Sequence, residues 1–186
     1  PPAEAEEFLV AVLEKVIEEM DPPPAEGHYE PREMARNLLD YMDLDDTGIG
    51  GQREDDYYQS QDPPYRAANR PLLSLGEVAL VQGFDARFAE ALEPYADVYP
   101  LVQGAGINLN TAPPHVLALT YHGSGADMRL AGEDEVRQIL EARENESLLC
   151  SQTEKAPDRC ITLSTVGLGE GGIFPEADLP AESGVF

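Results

Sequence analysis

Between Asp43 and Asp56 six carboxylates share one short stretch with Thr47 and a glycine-rich turn, and oxygen donors of this kind suit a hard cation. Counted from Asp43, the offsets place Asp43 at position one, Asp45 at three, Thr47 at five, Gly48 at six, Ile49 at seven and Glu54 at twelve. That is close to an EF-hand loop, where side chains at one, three and five, a carbonyl at seven and a bidentate glutamate at twelve supply most ligands. Asp55 and Asp56 follow as further candidate ligands. Thr47 departs from the usual Asp or Asn, and Gly50 occupies position eight, which is normally apolar, so a paired EF-hand sensor is not indicated. The reading is a single calcium loop in which Asp43, Asp45, Asp46, Glu54, Asp55 and Asp56 repel one another unless a cation, solvent or basic groups compensate. Only Arg53 sits among them. The alternative is a solvated acidic turn.

Other constellations are weaker. Gly167 to Gly172 matches G-x-G-x-x-G, but Phe174-Pro175 follows in place of a helix and Glu170 would oppose a pyrophosphate. Ser124 beside His122 lacks the G-x-S-x-G elbow. With 36 acidic residues, carboxylate pairs at catalytic separations arise by chance, so no enzyme is expected. Cys150 and Cys160 are either a disulfide or half a metal site. No Cys or His lies at the spacing that would complete a zinc shell, which favours the disulfide over two reduced thiols. Such a loop closure contributes about 2–3 kcal/mol by chain entropy and implies an oxidising compartment.

The elements that must position these residues are mostly helical. Glu4 to Met20 carries an apolar stripe of Phe8, Leu9, Val12, Leu13, Val16, Ile17 and Met20. Pro31 opens a second helix, with Met34, Leu38, Tyr41 and Met42 at helical spacing, and it leads straight into the acidic loop. His28, in the linker between them, has no evident chemical company. After the loop, Ser74 and Glu77 fit a capping box and Asp85 fits an N-cap for Ala86 to Leu92. Val98 to Val102 reads as an edge strand. Asn110 or Thr111 is placed to cap a helix carrying Pro113 and Pro114 in its first turn and continuing through His115 to Tyr121. Glu133 to Glu144 is a further helix with Val136, Ile139 and Leu140 at core spacing. Beyond Glu146 the pattern changes to loops and short strands, including Ile161-Thr162-Leu163, and the apolar Gly184-Val185-Phe186 points to more sequence after it.

The chain has 186 residues, 36 acidic against 12 basic, and a net charge of −24, with 42% hydrophobic residues to build a core. This charge repels phosphate backbones and anionic membranes, so nucleic acid is not an expected partner. An Asn-Thr-Ala turn before a helix also occurs in helix-hairpin-helix DNA binders, but Pro113, His115 and nearby glutamates stand where basic residues would be needed. No stretch reaches the eighteen or so apolar residues of a membrane span.

Taken together, Leu39-Asp40-Tyr41-Met42-Asp43-Leu44-Asp45, Glu54 to Tyr58, Pro64 to Pro71, Ser74 to Val78, and Ile107 to Ala112 with Val116-Leu117 resemble the minor pseudopilin of the type II secretion system called general secretion pathway protein K. The resemblance runs over roughly residues 35 to 145. It implies an α+β, mainly helical fold in which a helical domain is inserted into an α/β pseudopilin domain. On that basis residues 1–146 are expected to form the helical domain with its calcium loop, and residues 147–186 part of the α/β domain with the disulfide loop. It also implies calcium near the acidic loop, and a non-enzymatic protein that joins other minor pseudopilins at the tip of a periplasmic pseudopilus to support export across the outer membrane. The family's hydrophobic N-terminal helix and first strands are missing and the closing strands are incomplete. Inner-membrane anchoring is therefore expected of the full-length protein and not of this stretch. Tyr41 stands where the family usually has tryptophan. A stand-alone extracellular calcium-binding recognition module is the alternative function.

Overall fold

A computed structural model of the chain describes residues 2–45, 47–49, 51, 53, 55–98, 107–123, 127–150 and 159–168. The architecture is mainly helical α+β, as expected, with short strands only. It forms two compact units, Pro1–Tyr99 and Pro100–Phe186.

The first unit is built on α1 (Pro2–Glu19) packed against α2 (Pro31–Met42). The expected stripe of α1 buries Val12, Leu13, Val16 and Met20, and the structure adds Val10, one helical turn before Leu13. Pro31 occupies the first turn of α2, where its missing N–H costs nothing. Arg32 reaches Glu6 and Glu7 at 3.1 and 2.9 Å, and Arg36 reaches Glu6 at 2.9 Å, so exposed ion pairs join the outer edges of the two helices.

Next come α3 (Asp55–Gln59), a 3₁₀ helix over Leu75–Leu80 and α4 (Ala86–Leu92). The core joins Leu13, Val16, Met34, Ala35, Tyr41, Tyr58, Val78, Val81 and Phe88.

Asp85 caps α4 as expected, its Oδ1 accepting from the Phe88 N–H at 2.8 Å. The Ser74–Glu77 capping box does not form. Ser74 makes no side-chain cap, and Glu77 instead accepts from the Leu73 N–H at 3.2 Å and from Arg70 at 3.0 Å. The nearby guanidinium is a stronger partner for a carboxylate than the Ser74 N–H, and the segment settles as a 3₁₀ helix.

His28 is not without company. Its Nε2 lies 3.5 Å from Asp85 Oδ2, and its ring meets Tyr29 edge-on. The Tyr29 hydroxyl donates to the same carboxylate at 3.0 Å. Burial, followed by this acidic neighbour, pushes the Tyr29 hydroxyl up to about 12. Desolvation alone would raise Asp85, but the Phe88 N–H, Tyr29 and His28 together bring it below its ordinary value. A carboxylate with a depressed folded pKa adds stability above its unfolded pKa, and that stability is lost as pH falls through the folded one. Acid titration of the unfolding midpoint should therefore show a steeper fall for wild type than for Asp85→Asn, with Asp85→Ala costing about 0.5–2 kcal/mol near neutral pH. Equal slopes would mean that Asp85 caps the helix without an ionic contribution.

The second unit contains α5 (Pro114–Leu117), an antiparallel pair β1 (Tyr121–His122) and β2 (Arg129–Leu130), α6 (Glu133–Glu144), a parallel pair β3 (Leu148–Leu149) and β4 (Cys160–Ile161), and a 3₁₀ helix over Leu163–Val166. Its core is Leu109, Leu117, Ala131, Ile139, Leu149, Val166 and Leu168. The contact division at 99/100 differs from the expected boundary at 146/147. The reason is local: α6 packs on the 3₁₀ helix after β4, and Arg143 of α6 donates to the carbonyls of Leu109 and Ala112 at 2.8 and 2.7 Å.

Helix α6 matches its expected span, and the Gly132 N–H donates to Glu135 at 3.0 Å. The helix after Pro113 is shorter than expected, because Tyr121 and His122 leave it to pair with Leu130 and Arg129. Gly123 makes the turn out of β1 possible, at φ +115°; a Cβ there would lie 2.4 Å from the Asp127 carbonyl oxygen. Neither Asn110 nor Thr111 caps α5, which starts behind Pro113 with no side-chain cap.

Cys150 and Cys160 form a disulfide with their Cα atoms 5.7 Å apart. Most of the expected edge strand from Val98 to Val102 lies outside the described residues, as do Ser124, Gly169 to Gly172 and the final Gly184-Val185-Phe186.

Candidate functional site

The acidic loop leaves the last turn of α2, and its described residues are 43–45, 47–49, 51 and 53. Asp43 Oδ1 accepts from the Asp45 N–H at 3.2 Å, and Asp45 Oδ1 accepts from the Thr47 N–H at 2.8 Å. These carboxylates thus fold the turn back on itself by bonding the amide two residues on. Thr47 forms an isolated antiparallel bridge with Arg53, and Gly51 has the left-handed φ of +79° that the tight return requires.

Asp55 and Asp56 open α3. Asp55 accepts from the Ala67 N–H at 3.3 Å and lies 3.8 Å from Arg66, so it serves the return segment. Glu54 and Asp46 lie outside the described residues. Among the described residues no group of three Asp, Glu, His or Cys side chains comes together as a metal shell. Of the candidate ligands, Asp43, Asp45, Thr47 and Ile49 share the first turn, while Asp55 and Asp56 belong to the helix beyond it.

The residue that the offset count passed over is Asp40. It sits on α2 three residues before Asp43, is only 8% exposed, and accepts from the Ile49 N–H through Oδ2 at 2.9 Å. Its Oδ1 is buried with no hydrogen-bond partner among the described residues. Burial pushes this carboxyl up. The Ile49 N–H opposes that, Asp43 and Asp45 add to it, and Arg36 opposes it weakly. The available signal was its place in the apolar period of α2: Asp40 lies between Leu38 and Tyr41, where an ionisable side chain is drawn toward the core.

The return segment is fixed by aromatic packing and by two bonds. Tyr58 is 4% exposed and packs against Tyr41, Tyr57 and Tyr65 at centroid separations of 5.4, 5.2 and 5.4 Å. Tyr65 donates to the Leu80 carbonyl at 2.7 Å. The Asn69 N–H donates to the Tyr41 carbonyl at 3.0 Å, and the Asn69 side chain donates to the Asp45 carbonyl at 2.8 Å. Tyr41 itself is 4% exposed, a core position that suits either tyrosine or a larger aromatic.

The donor set is all oxygen, and one buried carboxylate oxygen is uncompensated; that chemistry fits a hard divalent cation of the calcium type. The arrangement defines a helical protein whose acidic loop is a structural element pinned to the core.

Residues 3–101, just over half of the chain, match the family model described as "Type II secretion system (T2SS), protein K". The chain belongs to the type II secretion system protein K family. It is 35% identical over 107 residues to the type II secretion system protein K of Klebsiella pneumoniae, which covers 57% of this chain and 31% of that protein. It is 30% identical over 116 residues to the protein K of Aeromonas hydrophila, which covers 62% and 34% respectively. The chain thus spans about a third of the length of these relatives. A solved structure of the GspK-GspI-GspJ complex from the type 2 secretion system of enterotoxigenic Escherichia coli matches with a TM-score of 0.49 and 27% identity, over 61% of this chain and 38% of that one. Among the described residues no helix is long and apolar enough to cross a membrane.

Proposed function

We propose that this chain is the helical portion of a minor pseudopilin that joins other minor pseudopilins in a periplasmic pseudopilus tip and supports protein export across the outer membrane. The observation that carries this reading is the family match over residues 3–101, which includes both the acidic loop and the core that holds it. The role is structural and non-enzymatic, exerted through surfaces. The disulfide agrees with an oxidising compartment such as the periplasm, and the full-length protein is anchored in the inner membrane.

Co-expression at the family's full length with the other minor pseudopilins of the same system, followed by size-exclusion chromatography, tests the reading. A stable hetero-oligomer is expected. A protein that elutes alone in the presence of those partners would refute it, and would revive the stand-alone module.

The second part of the proposal is that calcium is the loop's cation. Asp43, Asp45, Thr47 through its side chain and Ile49 through its carbonyl would hold it from the first turn, with Glu54 closing the shell. The ion would supply the positive charge that this crowded loop lacks.

A further inference from the structure

Away from the acidic loop, the C-terminal end of α1 and the last turn of α4 line a cavity of about 350 Å³ within the first unit. That lies at the lower end of the range for ligand pockets, roughly 300–1,000 Å³. Its apolar lining is Val16 and Met20, both buried, with Ala91 and Pro94. Its charged lining is Glu19, Asp21 and Glu90, all exposed, against the single guanidinium of Arg87. The hollow is thus greasy at depth and acidic at its mouth.

The helix ends add to this charge. Carbonyls that point out of a helix C-terminus carry partial negative charge, which a lysine or arginine in the last turn favourably answers. Neither α1 nor α4 has a basic residue in its last turn, and both carry glutamate there, Glu18 and Glu19 in α1 and Glu90 in α4. Lys15 reaches Glu19 at 2.7 Å and Arg87 donates to the Pro22 carbonyl, while Asp21 and Glu90 make no ion pair among the described residues. No three Asp, Glu, His or Cys side chains converge there as a metal shell among the described residues. A ring of carboxylates around an apolar hollow suits a side chain with an aliphatic stem and a cationic head. The net charge of −24 steers such a basic surface toward the chain from farther away.

We propose that this cavity docks a lysine or arginine side chain of a neighbouring minor pseudopilin, its stem against Val16, Met20 and Ala91 and its head toward Asp21 and Glu90. This rests on the pseudopilin reading above and adds the place on the first unit where a partner is held. The incoming cation stands where a basic residue of the chain's own helix ends would otherwise be, so association and helix capping use one group.

The test measures, at the family's full length, the affinity for the other minor pseudopilins of the same system by calorimetric titration at low and high salt. Wild type is compared with Glu90→Lys and Glu14→Lys, and each protein alone is unfolded by heat. Glu14 is exposed on α1 and does not line the cavity, so its reversal changes net charge equally. Glu90→Lys is expected to bind at least about tenfold more weakly than Glu14→Lys, with a flatter salt dependence than wild type. Alone it should unfold no earlier than wild type, because its ammonium answers the end of α4. If Glu90→Lys does not fold, Glu90→Gln carries the same affinity and salt test with a smaller loss. Wild-type affinity in the folded variant, or an equal loss in Glu14→Lys, overturns the docking site and leaves the pseudopilin reading in place. A wild-type protein that binds none of those partners overturns the pseudopilin reading, and this inference with it.

Discussion

Phe88→Ala is expected to destabilise the first unit by about 3–5 kcal/mol, the largest effect of any single truncation considered for this chain. Phe88 is fully buried on α4 and meets Tyr29 and Phe84 edge-on, at centroid separations of 5.1 and 5.2 Å. Tyr29 is in turn bonded to Asp85, the cap of the same helix. Truncation would therefore remove the ring's transfer free energy, open a cavity and loosen the contact that orients the Tyr29 hydroxyl. Urea unfolding followed by circular dichroism would read the loss as a lower midpoint. A cost below about 1 kcal/mol would mean that the site collapses freely and that α4 is not a keystone of this core.

Asn110→Ala is expected to cost about 2–4 kcal/mol in the second unit, because two buried backbone groups lose their partners at once. Asn110 Oδ1 accepts from the Leu149 N–H at 2.9 Å, and its Nδ2 donates to the Leu149 carbonyl at 3.0 Å. In the parallel pair β3–β4, the flanking amides of Leu148 and Cys150 bond to Arg159 and Ile161, so Leu149 turns its polar groups the other way. The asparagine amide serves there as a substitute strand. Hydrogen exchange at Leu149 should accelerate in Asn110→Ala together with the loss of global stability. Asp would keep the acceptor alone and should not restore the wild-type value. Unchanged exchange would show that another group takes over the Leu149 amide.

These two sites illustrate what the sequence disclosed and what it did not. Helices α1, α2, α4 and α6 were legible because a local pattern decides them: apolar residues at helical spacing, Pro31 in a first turn, Asp85 before an apolar run. The cysteine pair was legible by exclusion. Asn110 or Thr111 reads as a helix cap because the same residue types serve caps and strand edges, and the partner of Asn110 lies 39 residues away. Ser74 and Glu77 had the right spacing for a capping box, but the spacing could not show that Arg70 and Leu73 would claim the glutamate. At the candidate site the offsets located the turn, yet Asp55 and Asp56 were placed with it only by proximity in sequence, whereas α3 carries them toward Ala67 and Arg66. Asp40 lies before the first offset of the EF-hand spacing, at Asp43, and its burial is not a property of spacing.

The two ends of the segment from Ile49 to Asn69 are fastened to neighbouring residues of α2: Ile49 to the Asp40 side chain and Asn69 to the Tyr41 carbonyl. Chain between two such fixed points can change length without altering where it starts or finishes. Doubling a flexible span adds only about 0.6 kcal/mol of closure entropy. Insertions and deletions between Ser60 and Pro64, in the turn that the Tyr65 N–H closes on the Tyr58 carbonyl, should therefore be tolerated at little cost, whereas one residue added between Asp40 and Ile49 would shift the amide that the carboxylate holds. Between Gly50 and Glu54 the Thr47–Arg53 bridge fixes the length, so length variation among members of this family is expected to concentrate beyond α3.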